Sequence, residues 1–381
     1  MKRIFIVGST GALGREAVEV VSTLGKGYKV VGITGFNNTA LLKEQSKKLE
    51  PQYIGVRKEF VNNIKETFPE KYVFDVRDDL SKAIMDAFPD LTLFLSSGIT
   101  AIRAIDVLLK NKKYIAIANK ESIIAGGEIL FSDENRNYVI PVDSEMSALF
   151  QCISNEEKST IKRFVLTASG GPFWERDRNT FDKITAKESL THPNWQMGNK
   201  ITVDSATLIN KAFEVMEAHF LFNMEYEKID VTVHRQSIVH SLVEFIDGNI
   251  KAILSVPLMH FPLQYAITYP NRIKTVFPSL NLEEIEKLTF EKIDKRKFPG
   301  FSIVLKYGMR GGSFLPSLVA VDELLVREFL KGRIHFIDIP RFLEIIMQHI
   351  TYKKINSIQE LVELYNSAII MSREILRRSL K

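Results

Sequence analysis

The pattern of apolar and polar positions near the start of the chain predicts a strand, a turn and a helix. Residues 4–7 are an apolar run, and apolar residues recur at helical spacing over 15–24. Later apolar runs predict the strands of further units, at 29–34, 53–56, 91–95 and 114–117. Strands that alternate with helices are typical of a parallel α/β sheet. We therefore predict an α/β fold for this part of the chain.

A glycine turn, Gly8-Ser9-Thr10-Gly11-Ala12-Leu13-Gly14, separates the first predicted strand from its helix. Glycines allow the backbone to approach a pyrophosphate, and the N–H groups at the start of a helix bind anions. The pattern predicts a dinucleotide site of the Rossmann type. Ser9 replaces the central glycine of G-x-G-x-x-G, so a tight turn in another kind of α/β protein is the alternative.

The residues after two later predicted strands bear on what the site binds. Gly35-Phe36-Asn37-Asn38 contains no acid, and an acid at this place usually binds the free 2′-hydroxyl of NAD. Its absence favours NADP. A polar cluster at 118–122 follows the strand at 114–117, at a carboxyl end where open α/β sheets place ligands. A helix N-terminus capped by Asn119 is the alternative there.

Two carboxylates flank a serine in Asp143-Ser144-Glu145, which follows an apolar run at 138–142. In an extended chain both carboxylates point to the same side and can share one cation. Two carboxylates leave room for substrate oxygens on a Mg²⁺ or Mn²⁺ ion. The alternative is a solvated surface turn.

Two irregular polar segments follow downstream. Ser169-Gly170-Gly171 comes after a predicted strand at 164–167 and makes a backbone-rich turn suited to an anion, although an ordinary loop also fits. Residues 192–199 have no period yet contain Trp195 and Met197. This composition predicts a lid that closes over a substrate, with a packed Ω-loop as the alternative.

Residues 203–222 predict a helix with one polar stripe. If the helix begins near Ser205, then Asn210, Lys211 and Glu214 fall within about a 100° arc, opposite the apolar residues. Ser205 then lies at the helix start, where hydroxyl and backbone donors favour an anion. A surface ion pair between Lys211 and Glu214 is the alternative.

Composition narrows the class of protein. The 51 basic and 46 acidic residues are interspersed, so their net charge of +5 disfavours nucleic-acid binding and suits a small anionic substrate. Cys152 is the only cysteine and is expected to be buried and structural, in a reducing compartment. The strand pattern from the first residues leaves no room for a signal peptide, and no apolar stretch is long enough to span a membrane. We expect a cytoplasmic protein.

Together these segments resemble the 1-deoxy-D-xylulose 5-phosphate reductoisomerase family over most of the chain. The motifs that carry the resemblance are Gly8-Ser9-Thr10-Gly11 with Gly14, residues 118–122, Asp143-Ser144-Glu145, Ser169-Gly170-Gly171-Pro172-Phe173, residues 192–198, and Val203-Asp204-Ser205-Ala206-Thr207 with Asn210-Lys211. Six motifs in the family's order are far more specific than any one of them. The resemblance implies an N-terminal Rossmann-like NADPH domain, a central α/β catalytic domain and a C-terminal helical bundle.

The resemblance also implies site residues. The implied NADPH contacts are Thr10, Gly11, Ala12, Leu13, Asn38, Asn119, Glu121 and Gly198. The implied metal ligands are Asp143, Glu145 and Glu214, which with Lys120 form the catalytic set. The implied substrate contacts are Lys120, Ser144, Glu145, Ser169, His192, Trp195, Met197, Ser205, Asn210, Lys211 and Glu214. Among these, Trp195 and Met197 belong to a mobile flap.

The implied reaction converts 1-deoxy-D-xylulose 5-phosphate to 2-C-methyl-D-erythritol 4-phosphate in the non-mevalonate isoprenoid pathway. A metal-assisted rearrangement, of retro-aldol and aldol type, precedes reduction by NADPH, with Mg²⁺ or Mn²⁺ as the metal. Three departures from the family pattern stand out. Residues 256–260, Val-Pro-Leu-Met-His, replace a usual Pro-Asp-Met-Arg. Phe36-Asn37 occupies a place where the family often has a basic or small residue, and residues 319–323, Val-Ala-Val-Asp-Glu, replace a usual Asn-Ala-Ala-Asn-Glu.

The expected domains are an NADPH-binding domain at 1–148, a catalytic and dimerisation domain at 149–270 with a flap at about 192–199, a linker at 271–288 and a helical domain at 289–381. Residues 237–257 alternate like sheet strands, and the resemblance implies that a sheet there forms the family's homodimer interface. The sequence leaves two rival functions open. One is a homoserine-dehydrogenase-like oxidoreductase that only transfers hydride, and the other is a silent regulator that binds NADPH and ignores Mg²⁺.

Overall fold

The computed structural model describes residues 1–195 and 197–379. The chain divides into two compact units. Unit 1 contains Met1–Ser122, Ser132–Ser147 and Leu258–Pro278, and unit 2 contains the remaining described residues.

In the described part of unit 1, seven strands form one parallel sheet. The strands are β1 Lys2–Val7, β2 Tyr28–Thr34, β3 Tyr53–Val56, β4 Tyr72–Asp75, β5 Leu91–Phe94, β6 Ile115–Ile117 and β7 Val139–Pro141. Their order in the sheet is β4-β3-β2-β1-β5-β6-β7. The order reverses between β1 and β5, which is where open α/β sheets bind ligands at the carboxyl ends of the strands. The predicted Rossmann-like α/β fold is confirmed.

The strands of unit 1 form because their side chains are buried on both faces of the sheet. Ile4, Phe5 and Ile6 are fully buried, as are most residues of β5 and β6. Strands covered on both faces are continuous apolar runs and do not alternate, which is the pattern of this sequence. The first helices in chain order are α1 Ala12–Thr23, α2 Thr39–Leu49, α3 Val61–Thr67, α4 Leu80–Ala87, α5 Ile102–Lys110, α6 Lys120–Leu130, α7 Asp133–Arg136 and α8 Ser144–Cys152.

Unit 2 contains a second sheet and most of the remaining helices. The strands β8 Ile161–Ala168, β9 Ile229–Val233, β10 Val239–Phe245 and β11 Ile250–Leu254 lie in the order β11-β10-β8-β9. β8 and β9 are parallel, and β10 is antiparallel to both β8 and β11. The later helices are α9 Ala186–Ser189, α10 Asn199–Thr207, α11 Ile209–Phe222, α12 His260–Thr268, α13 Pro299–Gly308, α14 Phe314–Leu330, α15 Asp338–Met347 and α16 Ile358–Ser379. Of these, α12 belongs to unit 1 and packs on α1.

The single cysteine lies at the end of α8. Cys152 is buried, and burial raises the pKa of its thiol to about 11. A thiol with this pKa stays protonated near neutral pH and is a poor nucleophile. The expectation of a buried, structural cysteine is confirmed. Among the described residues, the helices are all too short or too polar to cross a membrane.

Candidate active site

The glycine turn joins β1 to α1 in unit 1. Gly8 has φ +91°, and a Cβ added to it would lie 2.8 Å from the backbone nitrogen of Ser96. A Cβ on Gly14 would lie 2.1 Å from the carbonyl oxygen of Gly8. Both positions therefore exclude a side chain. The turn exposes the start of α1, with Thr10 to Leu13 at the carboxyl end of β1, which fits the pyrophosphate of a dinucleotide.

Ser9 takes the place of the central glycine of the motif, and the structure explains why a serine fits. Its hydroxyl donates to Oε1 of Gln45 at 2.7 Å, and Nε2 of Gln45 donates to the carbonyl oxygen of Ser9 at 2.9 Å. The serine side chain is fully buried. It therefore ties the turn to helix α2 and does not obstruct the anion site. Gln45 was not expected from the sequence, because only the fold brings it beside the turn.

The polar cluster after β6 begins helix α6. Oδ1 of Asn119 accepts the N–H of Ser122 at 2.9 Å, so Asn119 caps the helix. Its Nδ2 donates to the carbonyl oxygens of Ser96 and Gly98. Asn119 is therefore the helix cap that was the alternative to a ligand-binding role. It also links the carboxyl ends of β5 and β6. Glu121 lies in the first turn of the same helix.

A buried ion pair joins the carboxyl ends of β6 and β7. Nζ of Lys120 lies 2.8 Å from Oδ2 of Asp143, and their side chains are 7% and 16% exposed. Next to this pair, the hydroxyl of Ser144 donates to Oε2 of Glu145 at 2.6 Å. The expectation that Asp143-Ser144-Glu145 is extended is wrong. Helix α8 begins at Ser144, and the carbonyl oxygen of Asp143 accepts the N–H of Ser147, so the motif is a helix start.

In unit 2, Ser169 follows β8 and lies next to His192. Oγ of Ser169 lies 2.9 Å from Nε2 of His192. Nδ1 of His192 accepts the backbone N–H groups of Asn194 and Trp195 at 3.2 and 3.0 Å. An imidazole whose Nδ1 accepts carries its proton on Nε2 when neutral, so Nε2 is the donor towards Ser169. An anion that replaced the Ser169 hydroxyl as acceptor would receive the same proton.

The serine–glycine turn packs closely against helix α10. Gly171 has φ +69°, and a Cβ added to it would lie 2.7 Å from the carbonyl oxygen of Ser205. Glycine is therefore required where the turn meets the helix. Ser205 is 8% exposed and lies inside α10, near its end. The prediction that one helix begins at Ser205 is wrong, because Leu208 adopts φ +59° and separates α10 from α11.

The polar stripe predicted for this region lies on the first turns of α11. Oε1 of Glu214 accepts from Nδ2 of Asn210 at 2.6 Å, and Oε2 pairs with Nζ of Lys211. Lys211 is 4% exposed and Glu214 is 1% exposed. The alternative of a solvated surface pair is therefore wrong. Charged groups this deeply buried are rare unless they are paired or coordinate a metal.

The predicted flap follows His192, and its residue Gln196 lies outside the described residues. Nδ2 of Asn194 donates to the carbonyl oxygen of Arg235 at 2.7 Å and to Oγ of Ser237 at 2.9 Å. The ring of Trp195 meets the ring of His240 edge to face, with centroids 6.0 Å apart. Met197 is half-buried and Gly198 is the N-cap of α10.

An ion cluster that no sequence pattern predicts in full lies at the start of α10. Nζ of Lys200 lies 2.7 Å from Oδ2 of Asp204 and 2.7 Å from Oδ2 of Asp322. Lys200 and Asp204 are four residues apart on one helix, a spacing that can indicate a pair. Asp322 comes from α14, and no sequence pattern connects it to them. Asp322 occupies a position where the family usually has asparagine. The negative charge that Asp322 adds there is paired with Lys200.

Comparison with known proteins agrees with these features. Models of the 1-deoxy-D-xylulose 5-phosphate reductoisomerase family match residues 4–127, and models of its C-terminal domains match 139–222 and 254–369. A protein of that name from Pelotomaculum thermopropionicum is 37% identical over 99% of both chains. Another, from Bacillus thuringiensis subsp. konkukian, is 43% identical over 90% of both chains. The chain belongs to this family.

The chain is also similar to a DOX-P reductoisomerase whose crystal structure is of the complex with NADPH, fosmidomycin and magnesium. Its sequence is 25% identical, with a TM-score of 0.92, and the match covers 99% of this chain and 98% of that one. The resemblance drawn from the six motifs is thus confirmed, and so is the fold class. The roles of the individual side chains stay predictions.

Proposed function

We propose that Lys120, Asp143, Glu145 and Glu214 carry the chemistry by which this chain converts 1-deoxy-D-xylulose 5-phosphate to 2-C-methyl-D-erythritol 4-phosphate. The chain is an NADP-dependent oxidoreductase of the isoprenoid pathway, and its cofactors are NADPH and a divalent metal. The glycine turn and the start of α1 are proposed to bind the dinucleotide, because Gly8 and Gly14 let the turn fold closely and the N–H groups at the start of a helix favour an anion.

Burial of charge is the observation that carries this proposal. Lys120, Lys211 and Glu214 are each at most 5% exposed when the backbone and side chain are taken together. Removing such groups from water is costly, and the cost is tolerated where the charges serve a ligand or a metal. Asp143, Glu145 and Glu214 supply carboxylate oxygens, which are the ligands that Mg²⁺ and Mn²⁺ prefer. We propose these three as the metal ligands.

Each cofactor supplies one part of the chemistry. A divalent metal held by Asp143, Glu145 and Glu214 would stabilise negative charge on the sugar oxygens, and NADPH bound at the glycine turn would supply the hydride for the reduction. The side chains hold and move protons. We propose that the ammonium of Lys120, which pairs with Asp143, donates a proton, and that Glu145, which accepts a hydrogen bond from Ser144, accepts one.

The phosphate of the sugar is proposed to bind Ser169, His192, Ser205, Asn210 and Lys211. Nε2–H of His192 and the ammonium of Lys211 supply charge or donors, and the positive-φ glycine turn beside Ser169 supplies backbone N–H groups. Binding energy from this remote group holds the fragments in place while the carbon–carbon bond is broken and reformed. Trp195 and Met197, on the predicted flap, are proposed to cover the bound sugar.

NADPH oxidation in the presence of the keto sugar tests the proposed site. We expect turnover in the native chain with Mg²⁺ or Mn²⁺, none after removal of the metal by a chelator, and recovery on adding either ion. Glu214→Gln is expected to lower kcat at least about a thousandfold while NADPH still binds. Glu217→Gln is the matched control, because Glu217 is also buried on α11. If Glu214→Gln is as active as Glu217→Gln and the native chain, Glu214 is excluded as a metal ligand.

A homodimer is proposed through the second sheet. β11 is an edge strand of this sheet. Its residues Ile250 and Leu254 are 57% and 38% exposed, and Ile246, which directly follows β10, is 68% exposed. An exposed apolar edge strand tends to pair with another chain. Light scattering after size exclusion should give twice the chain mass for the native protein. Ile250→Lys is expected to shift it towards the monomer, whereas Ile370→Lys, a change at an exposed site on α16, is not.

A cytoplasmic location is also proposed. One buried cysteine cannot form an intramolecular disulfide, which suits a reducing compartment. A fusion to a fluorescent protein that matures only in the cytoplasm should be fluorescent, and a dark fusion would contradict the proposal.

A further inference from the structure

The loop after β2 carries no positive charge, although the cofactor is NADPH. Oδ1 of Asn38 accepts the N–H of Leu41 at 3.1 Å and so caps helix α2. Phe36 and Asn37 precede it, and all three side chains are exposed. A ribose 2′-phosphate carries up to about two negative charges near neutral pH. Neutral amides do not balance that charge, so cations from another element are needed.

Two arginines lie beside this loop. Arg57 directly follows β3, and Arg77 lies two residues after β4. β2, β3 and β4 are neighbouring parallel strands, so their carboxyl ends lie at one edge of the sheet. The guanidinium carbon of Arg57 is 4.9 Å from the centre of the Phe36 ring, and that of Arg77 is 5.3 Å from it. An exposed aromatic ring thus holds two cations at the ribose end of the site.

Arg57 is also fixed to the loop by a hydrogen bond. Its Nη1 donates to Oδ1 of Asn37 at 2.7 Å, and its Nη2 pairs with Glu59. Nε is buried and has no hydrogen-bond partner within the part of the chain that the structure describes. A guanidinium has five N–H donors, so these two contacts leave donors for a further acceptor. The side chain is 28% exposed and can be reached by a ligand.

We propose that Arg57 and Arg77 bind the 2′-phosphate of NADPH and set the preference of this chain for NADPH over NADH. The proposal rests on the proposed function, since it concerns the same dinucleotide site. Phe36 positions both guanidinium groups and Asn37 orients Arg57. The charge that the family often places directly after the second strand comes here from the next two strands. A bidentate contact from a guanidinium suits a phosphate better than a point charge does.

Cofactor binding in the absence of sugar tests the proposal. Dissociation constants for NADPH and NADH are measured on the full chain by calorimetry, for the native protein, Arg57→Gln, Arg77→Gln and the double variant. Each single change is expected to weaken NADPH binding about tenfold, and the double change about a hundredfold. NADH binding should change less than about twofold, because NADH lacks the phosphate. The ratio of the two constants is the decisive quantity.

Lys58→Gln is the matched control. Lys58 is exposed, adjacent to Arg57, and carries the same charge, yet it makes no cation–π contact with Phe36. Its loss should leave both constants unchanged. Equal weakening of NADPH and NADH in the arginine variants, or no change in either, would overturn the proposal. Arg77 is exposed, so Arg77→Gln is expected to fold. If Arg57→Gln does not fold, the Arg77→Gln variant alone still decides the test.

This outcome is separable from that of the proposed reaction. A native chain that binds NADPH but reduces no keto sugar would contradict the proposed function. The ratio of NADPH to NADH affinity would still decide the role of the two arginines.

Discussion

At the scale of single residues, Gly171 shows how closely the backbone is packed at the proposed phosphate site. Gly171→Ala is expected to lower the free energy of unfolding by about 3 kcal/mol or more, because the residue has φ +69° and its new methyl group would meet the carbonyl oxygen of Ser205. Urea denaturation of the native chain and the variant measures this loss.

Gly248→Ala separates the two causes. Gly248 has φ +87°, but an added Cβ meets nothing within 4 Å. We expect it to cost about 1–2 kcal/mol, from backbone strain alone. Losses of the same size in both variants would show that the close approach to Ser205 contributes nothing.

At the scale of elements, the Lys200 cluster attaches the start of α10 to α14. The Asp204 and Asp322 side chains are 2% and 0% exposed and both pair with one ammonium. Lys200→Met leaves two buried carboxylates without that ammonium, so we expect a loss of about 3–5 kcal/mol in the free energy of unfolding. Chemical denaturation at neutral pH measures it.

The control for this prediction is an exposed pair of similar length. Nζ of Lys306 lies 2.6 Å from Glu344, and the lysine side chain is 60% exposed. Lys306→Met should cost at most about 1 kcal/mol. If Lys200→Met costs no more than Lys306→Met, the buried cluster does not stabilise the helix pair.

The connection between β9 and β10 predicts a pH dependence of stability. Burial lowers the pKa of His234 from its ordinary value of 6.5, and a hydrogen bond to the carbonyl oxygen of Thr289 offsets part of the change. The unfolded chain therefore takes up a proton at a higher pH than the folded chain. Stability is full above about pH 6.5 and falls as the pH drops from there towards the lowered native pKa.

Denaturation curves across this pH range measure the slope. His234→Gln should make the free energy of unfolding depend less on pH in this range. A loss of stability that is the same at every pH does not affect this slope. His349→Gln, a change at an exposed histidine on the protein surface, should leave the slope as it is. An unchanged slope in His234→Gln would contradict the assignment.

At the scale of the whole molecule, the three-domain division stays a prediction that limited proteolysis can test. Most residues at 271–288 are exposed, and the only regular element there is the 3-10 helix Leu282–Glu284, all of the segment being described. Exposed backbone without regular structure is cut first by proteases. We expect early cleavage by trypsin after Lys274 or Lys287, giving a C-terminal fragment that resists further digestion. First cuts elsewhere would contradict the predicted linker.

Much of this architecture could be predicted from the sequence, because it depends on local patterns. The buried strands of unit 1 are continuous apolar runs, and the glycine turn marks the first strand–helix junction. The stripe of Asn210, Lys211 and Glu214 follows from helical spacing alone. Each of these features is decided by residues a few positions apart.

Other features could not be predicted, because they depend on contacts between distant residues or on exact backbone geometry. Nothing near Lys200 indicates Asp322, and nothing near Phe36 indicates Arg77. The left-handed conformation of Leu208 divides what reads as one helix, although leucine rarely adopts it. The sequence predicts extended chain where α8 begins at Ser144, because a three-residue motif carries no period.

The buried thiol of Cys152 makes the chain a convenient background for spectroscopy. A maleimide dye reacts with thiolates, and the only native thiol is shielded and has a pKa raised to about 11. A cysteine introduced at Thr191, which is exposed beside His192, would therefore be the single labelling position. One fluorophore there could follow ligand-induced changes in real time without any native residue being removed to make way for it.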